Sequence, residues 1–368
     1  MHLEALRASR TGLRPLTLFS PGELGSLLVG EVDESLVPRN RGPRCIRLAL
    51  HAARQALGGR KLGGAGLLAI GTTTGGILES EQHFLKHRGA VGAEDRALLL
   101  HHPVGTVTDG VGRALGLSAE HYTFTTACSS SANAIGFGAM SVARGDGWAL
   151  VGGVDSLSRL TYSGFHALKL LSGTRCQPFD RSRKGLSLGE GAGFLLLEDD
   201  ARARRRGIPI LGFIAGWGCS SDAHHPTAPH PRGEGAVAAI ENALTDAGLP
   251  PSAIDYVNAH GTATEANDRV EGLALERIFG ERCPLTSSTK GLTGHTLGAA
   301  GAIEAIVSLI ALSVGFAPAT AGLEDPDPTI HIRHVPRGGL ARPLSVALSN
   351  SFGFGGNNAA LILSREVA

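Results

Sequence analysis

Cys128 stands where a nucleophile would. It lies in His121-Tyr-Thr-Phe-Thr-Thr-Ala-Cys128-Ser-Ser-Ser-Ala-Asn-Ala-Ile-Gly136. The residues before it are β-branched and aromatic with short alternation, which predicts a strand. Ser129, Ser130 and Ser131 then open an Ala, Ile, Gly and Met run ending near Arg144-Gly145, which predicts a helix with Gly145 as C-cap. At a strand-to-helix turn, unpaired backbone N–H groups and the positive end of the helix dipole converge. That setting favours the thiolate, the nucleophilic form of cysteine. A buried core cysteine is the commoner fate of a lone thiol, and this stretch alone does not choose between the two.

Two histidines stand at the ends of predicted elements. His260 follows the strand Ile254 to Asn258, and His295 lies in Ser287-Ser-Thr-Lys-Gly-Leu-Thr-Gly-His-Thr-Leu-Gly-Ala-Ala-Gly301, where a helix begins. Sites in open α/β sheets gather at the carboxyl ends of strands, so Cys128, His260 and His295 are positioned to share one crevice. The chain has 15 histidines, so any single one is weak support. His101-His102 and the His224, His225, His230 group sit in loops and receive no metal role. The run Gly185 to Gly193 lacks GxGxxG spacing and leads into a strand-like Phe194-Leu-Leu-Leu, which favours tight packing over phosphate binding.

The elements that must hold these residues alternate. Predicted strands are Gly66 to Gly71, Trp148 to Gly153, Ile208 to Gly216, Leu344 to Leu348 and Ala359 to Leu363. Predicted helices are His2 to Arg10, Cys45 to Leu57, Val107 to Leu115, Gly233 to Ala247, Asp268 to Phe279 and Ile303 to Leu312. Strand, helix, strand around Cys128 implies a right-handed parallel crossover. Two βα-alternating halves imply a layered α/β architecture, divided at the charged connection Asp199 to Gly207 into residues 1–203 and 204–368.

Composition excludes several classes. With 42% hydrophobic and 18% charged residues and a formal net charge of +1, the chain has no broad attraction for nucleic acid. The five scattered cysteines show neither CxxC spacing nor a disulfide framework, which fits a reducing cytoplasm. The most apolar stretch, Ala305 to Gly315, is shorter than the roughly 20 residues that span a bilayer. The N-terminus lacks the apolar core of a signal peptide.

Thr126-Ala-Cys-Ser-Ser, Asn258-Ala-His-Gly-Thr-Ala-Thr, Ser288-Thr-Lys-Gly-Leu-Thr-Gly-His-Thr-Leu-Gly-Ala-Ala-Gly and Asn350-Ser-Phe-Gly-Phe-Gly-Gly356 together resemble the four signature blocks of elongating β-ketoacyl-acyl-carrier-protein synthases, members of the thiolase superfamily. The resemblance spans nearly the whole chain in the right order. It implies a thiolase-like αβαβα fold of two similar halves with mostly parallel sheets. It implies a decarboxylative Claisen condensation in fatty acid or polyketide synthesis, on substrates carried by the phosphopantetheine of an acyl carrier protein, with no resident cofactor or metal.

Residue by residue, the resemblance makes Cys128 the acyl-accepting nucleophile and gives the oxyanion hole to the N–H groups of Cys128 and Phe354. His260 and His295 hold the malonyl thioester and promote decarboxylation as neutral donors. Lys290 and Glu304 support the site, Thr262 and Thr264 meet the phosphopantetheine arm, and Phe352 and Phe354 form a gate among glycines. Thr74 falls at the acyl-pocket wall, where its small polar side chain suggests longer or more polar chains. Arg39, Arg41 and Arg44 resemble the basic patch that docks the carrier protein. A dimer is implied, of two identical chains or with a second ketosynthase-like subunit.

Two departures stand out. Asn357 occupies a position where Thr is usual. The apolar strand and Thr-Gly-x-Gly turn that normally precede the region matching His2 to Thr17 are absent, the mark of a misplaced start codon or a shortened chain. That strand is expected inside the first sheet. Other readings are a catalytically idle chain-length-factor partner, which typically lacks the cysteine; a degradative thiolase, which carries a second cysteine near its C-terminus; and a non-enzymatic scaffold.

Overall fold

A computed structural model describes residues 2–37, 42–87 and 99–367. The first sheet consists of β1 (Leu67–Gly71), β2 (Glu120–Phe124), β3 (Ala149–Asp155) and β4 (Gly191–Leu197) in the order β2-β1-β3-β4. The second consists of β5 (Phe213–Ser221), β6 (Tyr256–Asn258), β7 (Leu285–Ser287), β8 (Arg333–His334), β9 (Val346–Gly353) and β10 (Asn357–Ser364) in the order β8-β7-β6-β9-β10-β5. The halves repeat one pattern. β1 pairs parallel with β2 and β3, and β3 pairs antiparallel with β4. Likewise β6 pairs parallel with β7 and β9, and β9 pairs antiparallel with β10. The second half adds β5 antiparallel to β10. Among the described residues no strand lies at the corresponding edge of β4. The strand expected inside the first sheet therefore has its counterpart at a sheet edge.

The helices α1 (Arg44–Leu57), α2 (Gly105–Leu115), α3 (Ser130–Ala143), α4 (Glu234–Ala247), α5 (Glu265–Phe279) and α6 (Ala300–Val314) build three layers. α1 and α2 cover the outer face of the first sheet and α4, with α5 beside it, covers that of the second, while α3 and α6 lie between the sheets. This is the expected αβαβα stack. The middle helices explain their own composition. α3 is squeezed between two sheets, so it is rich in Ala, Gly and Ser; a Cβ on Gly136 would sit 2.1 Å from the Trp217 ring. Ala132, Ile135, Ala302, Leu309 and Leu361 meet in the shared core. The apolar run here is longer than expected, Leu297–Val314, 18 residues of mean hydropathy 2.0, and 72% of it is buried between the layers.

Two expectations shift. The strand expected over Ile208 to Gly216 runs over Phe213–Ser221, because Pro209 has no N–H for a ladder. The expected connection Asp199 to Gly207 contains a helix, Asp200–Arg205, capped by the Asp199 side chain on the N–H of Arg202.

Candidate active site

Cys128 sits on a single 3-10 turn, Ala127–Ser129, between β2 and α3. Ala127 has φ 52°, a left-handed conformation that a residue with a Cβ adopts at a cost. Hydroxyls hold it there. Ser130 Oγ and Thr73 Oγ1 donate to the Ala127 carbonyl at 2.6 and 3.3 Å, and Ser129 Oγ donates to the Thr126 carbonyl at 2.7 Å. Ser131 Oγ accepts the N–H of Ala302 at 2.9 Å, pinning α3 to the start of α6.

His260 follows β6. Its N–H and that of Gly261 donate to the two carboxyl oxygens of Glu271, each at 2.8 Å, and Asn350 Nδ2 adds a third bond at 3.0 Å. Burial pushes the Glu271 carboxyl up to about 7. Lys290 Nζ donates to the His260 carbonyl at 2.6 Å, pairs with Glu304 and approaches His260 Nδ1 at 3.3 Å. An ammonium only donates, so Nδ1 is the acceptor and the ring proton sits on Nε2. Burial also pushes the Glu304 carboxyl up, against the pull of Lys290.

His295 is placed by the glycine-rich segment before β4. Its N–H donates to the Ser187 carbonyl at 2.7 Å, and the N–H of Gly189 donates to its carbonyl at 2.9 Å, a parallel bridge between Leu188 and His295. The Gly185 to Gly193 run thus supplies backbone that aims a histidine.

The three side chains converge. His295 Nε2 lies 3.0 Å from Cys128 Sγ, and the two imidazole centroids are 5.2 Å apart and nearly perpendicular. Burial, then the Lys290 charge, holds both imidazoles well below the usual histidine range, so both are neutral. Burial pushes the Cys128 thiol up to about 12, while Lys290 and the Phe354 N–H pull the other way. The resting sulfur is therefore a thiol, which corrects the thiolate expected from the helix terminus. α3 proper begins only at Ser130, and burial is the largest influence on the thiol.

These residues form the floor of a cavity of about 500 Å³. Thr262 and Thr264, whose hydroxyls are 2.9 Å apart, line its wall with Phe352 and Phe354. Phe352 packs 5.9 Å from the His260 ring, and Phe354 stacks on Phe165. The Asn357 amide donates to the Phe354 carbonyl at 2.9 Å and so closes the turn that carries this ring. Exposed Lys169, Lys184 and Arg269 stand at the mouth.

Two expected residues fall elsewhere. Thr74 does not line the cavity; its hydroxyl donates to buried Asp155 at 2.9 Å, so it offers no polar wall to a substrate. Arg44 is 2% exposed, with its guanidinium on Glu190, Glu34 and the Val32 carbonyl. It is an internal strut, not part of a docking face, because Glu190 turns it inward. Arg39 and Arg41 lie outside the described residues. Sequence reading missed Glu271 and Asp155, buried acids without a motif spacing of their own. Their only signal was position, one at the end of a buried strand and one on the inner face of a helix.

Comparisons fit this geometry. The model for the β-ketoacyl synthase N-terminal domain matches residues 38–203, and that for the C-terminal domain matches residues 211–324. The chain is 35% identical to 3-oxoacyl-(acyl-carrier-protein) synthase 2 of Synechocystis sp., over 98% of this chain and 93% of that one. Among solved structures it resembles the ishigamide ketosynthase/chain length factor (TM-score 0.93, 32% identity, covering 99% of this chain and 94% of that one). It also resembles a ketosynthase in complex with its chain length factor from Xenorhabdus doucetiae (TM-score 0.84, 34% identity, covering 99% and 93%).

Proposed function

The chain belongs to the β-ketoacyl synthase family of condensing enzymes, and from that premise we propose that it is an active 3-oxoacyl-acyl-carrier-protein synthase. The observation that carries this reading is the convergence of Cys128, His260 and His295 on one cavity floor, with Sγ and Nε2 3.0 Å apart. An idle chain-length-factor partner has no use for that contact.

Acyl transfer begins with a neutral thiol. As Sγ attacks the acyl thioester, its proton passes to His295 Nε2, and the carbonyl oxygen accepts from the N–H groups of Cys128 and Phe354. Collapse expels the carrier's thiolate, which takes the proton from His295. A malonyl thioester then enters and loses carbon dioxide, and the enolate oxygen accepts from His260 Nε2–H. A neutral donor suits a developing anion in a buried site. The enolate carbon attacks the acyl-cysteine carbonyl, forming the new carbon–carbon bond and breaking the C–S bond. The sulfur anion regains one proton from solvent. The product is a 3-oxoacyl chain two carbons longer.

Lys290 and Glu304 fix the His260 tautomer, Thr262 and Thr264 receive the phosphopantetheine arm, and Phe352 and Phe354 act as a gate. Lys169, Lys184 and Arg269 at the mouth suit the acidic carrier protein better than the buried Arg44. This reading needs no resident cofactor, because both acyl groups arrive on the carrier. The partner subunit is a second copy or a ketosynthase-like chain, as in the relatives described with a chain length factor. A cytoplasmic setting fits five free cysteines. Incubation with acyl- and malonyl-loaded carrier proteins tests the reading. The wild type should release 3-oxoacyl chains, and Cys128→Ala none; no product with any acyl donor would reject it.

A further inference from the structure

We propose that Asp155 is a positioning residue that holds Cys128 and His295 in register across the two halves of the molecule, a role that rests on the condensing reading above. Asp155 closes β3, a central strand of the first sheet, and is fully buried. Its oxygens accept from five donors. Oδ1 takes the Thr72 hydroxyl at 2.8 Å and the N–H and hydroxyl of Thr74, each at 2.9 Å. Both oxygens share the Thr73 N–H at 3.0 Å, and Oδ2 takes the Gly298 N–H at 2.7 Å. Three of these donors are backbone N–H groups, which cannot accept, so the site demands an acceptor at each oxygen.

The donors belong to both halves of the site. The Thr72 to Thr74 turn follows β1, and from it Thr73 Oγ1 reaches the carbonyl of Ala127, the left-handed residue before Cys128. Gly298 lies three residues after His295 and just after Leu297, which also has a left-handed φ of 52°. The contact is close: a Cβ at Gly298 would lie 2.7 Å from Asp155 Oδ2 and 2.8 Å from the Thr73 nitrogen. Two strained turns, one carrying the sulfur and one the imidazole, thus meet on a single carboxylate. Such strain persists only where the surroundings over-determine it. An amide at this position would offer one acceptor and turn an N–H group toward N–H donors. The Gly298 turn or the Thr73 turn would lose its anchor, and the 3.0 Å contact between Sγ and Nε2 would loosen.

The test measures alkylation of Cys128 by iodoacetamide, followed by peptide mass mapping, on the whole protein without carrier substrates. His295 accelerates this reaction by accepting the thiol proton. Asp155→Asn should slow it about 10- to 100-fold, the scale of a small misplacement of reacting groups. In the His295→Ala background the same change should slow it less than about two-fold, since no imidazole is left to position. Condensation by Asp155→Asn should lose kcat while its KM for the carrier stays near the wild-type value. Should Asp155→Asn fail to fold, Thr73→Val cuts the link to Ala127 without touching the acid. It should slow alkylation about three-fold, again only when His295 is present. Equal losses in both backgrounds, or no loss with His295 present, would overturn the proposal. Because alkylation needs no condensation, a wild type that fails to condense rejects the enzymatic reading and leaves this test legible.

Discussion

His295 Nε2 rests 3.0 Å from Cys128 Sγ although 167 residues separate them in the chain. The sulfur comes from the first half, on a turn held by hydroxyls, and the imidazole from the second, on backbone bonded to Ser187 and Gly189. Because burial pushes the thiol up to about 12, the sulfur depends on the imidazole to take its proton. His295→Ala should therefore slow alkylation of Cys128 about 100-fold, the usual scale of general-base assistance. Between pH 7 and 10 the wild-type rate should stay flat, because the thiol and its neutral imidazole keep their protonation states across that window. A rise with an apparent pKa inside it would mean a sulfur that ionises without the imidazole.

The imidazoles give a second pH signature. Both are held well below the usual histidine range, so neither takes a proton as pH falls from 8 to 6. Decarboxylation of malonyl-carrier should stay flat across that window. A fall with an apparent pKa near 6.5 would show a histidine titrating in the free enzyme.

Glu271 should show in stability instead. Its folded-state carboxyl is raised to about 7, against an ordinary value of 4.5. The folded chain therefore binds more protons than the unfolded chain between those values. The group's contribution is fully present below pH 4.5 and is lost as pH rises through 7. Relative to Glu271→Gln, the wild type should lose about 3 kcal/mol of unfolding free energy between pH 5 and 8. Parallel denaturant curves for the two proteins at both pH values would contradict the assignment.

Lys290 and Glu304 separate stability from chemistry. Lys290→Met removes the cation that opposes the burial of Glu304, and breaking this buried pair should cost about 3–5 kcal/mol. Adding Glu304→Leu should restore most of that stability in thermal unfolding. It should not restore decarboxylation, because His260 Nδ1 still lacks the ammonium that fixes its tautomer. Recovery of both would make the pair purely structural.

The cations divide in the same way. Charge reversal at Lys169, Lys184 and Arg269 should raise the apparent carrier KM several-fold and flatten its salt dependence, with kcat little changed. Arg44→Ala should lower stability by about 3 kcal/mol through the orphaned Glu190, with no change in salt dependence. An unchanged carrier KM after the triple reversal would put the docking face elsewhere.

Much of this was legible in the sequence because periodicity and block order report on local structure. The strand and helix around Cys128, the two histidines at element ends and the alternating halves all follow from patterns within about 15 residues. Burial does not. Arg44 reads as one of a run of surface arginines until Glu190, 146 residues away, turns it inward. Thr74 reads as a pocket wall until Asp155 takes its hydroxyl. The helix terminus predicted a thiolate because dipoles can be read from sequence and desolvation cannot. The first strand implied by the resemblance is expected inside the sheet because its neighbours become visible only when the second half shows β5 at the matching edge.

The most direct measurement follows the sulfur itself. The protein is incubated with acyl-loaded carrier protein and the Cys128 peptide is weighed before and after malonyl-carrier is added. The account predicts an acyl adduct on Cys128 that disappears on addition of malonyl-carrier as a chain two carbons longer appears on the carrier. An adduct on another residue, or condensation that persists in Cys128→Ala, would contradict it.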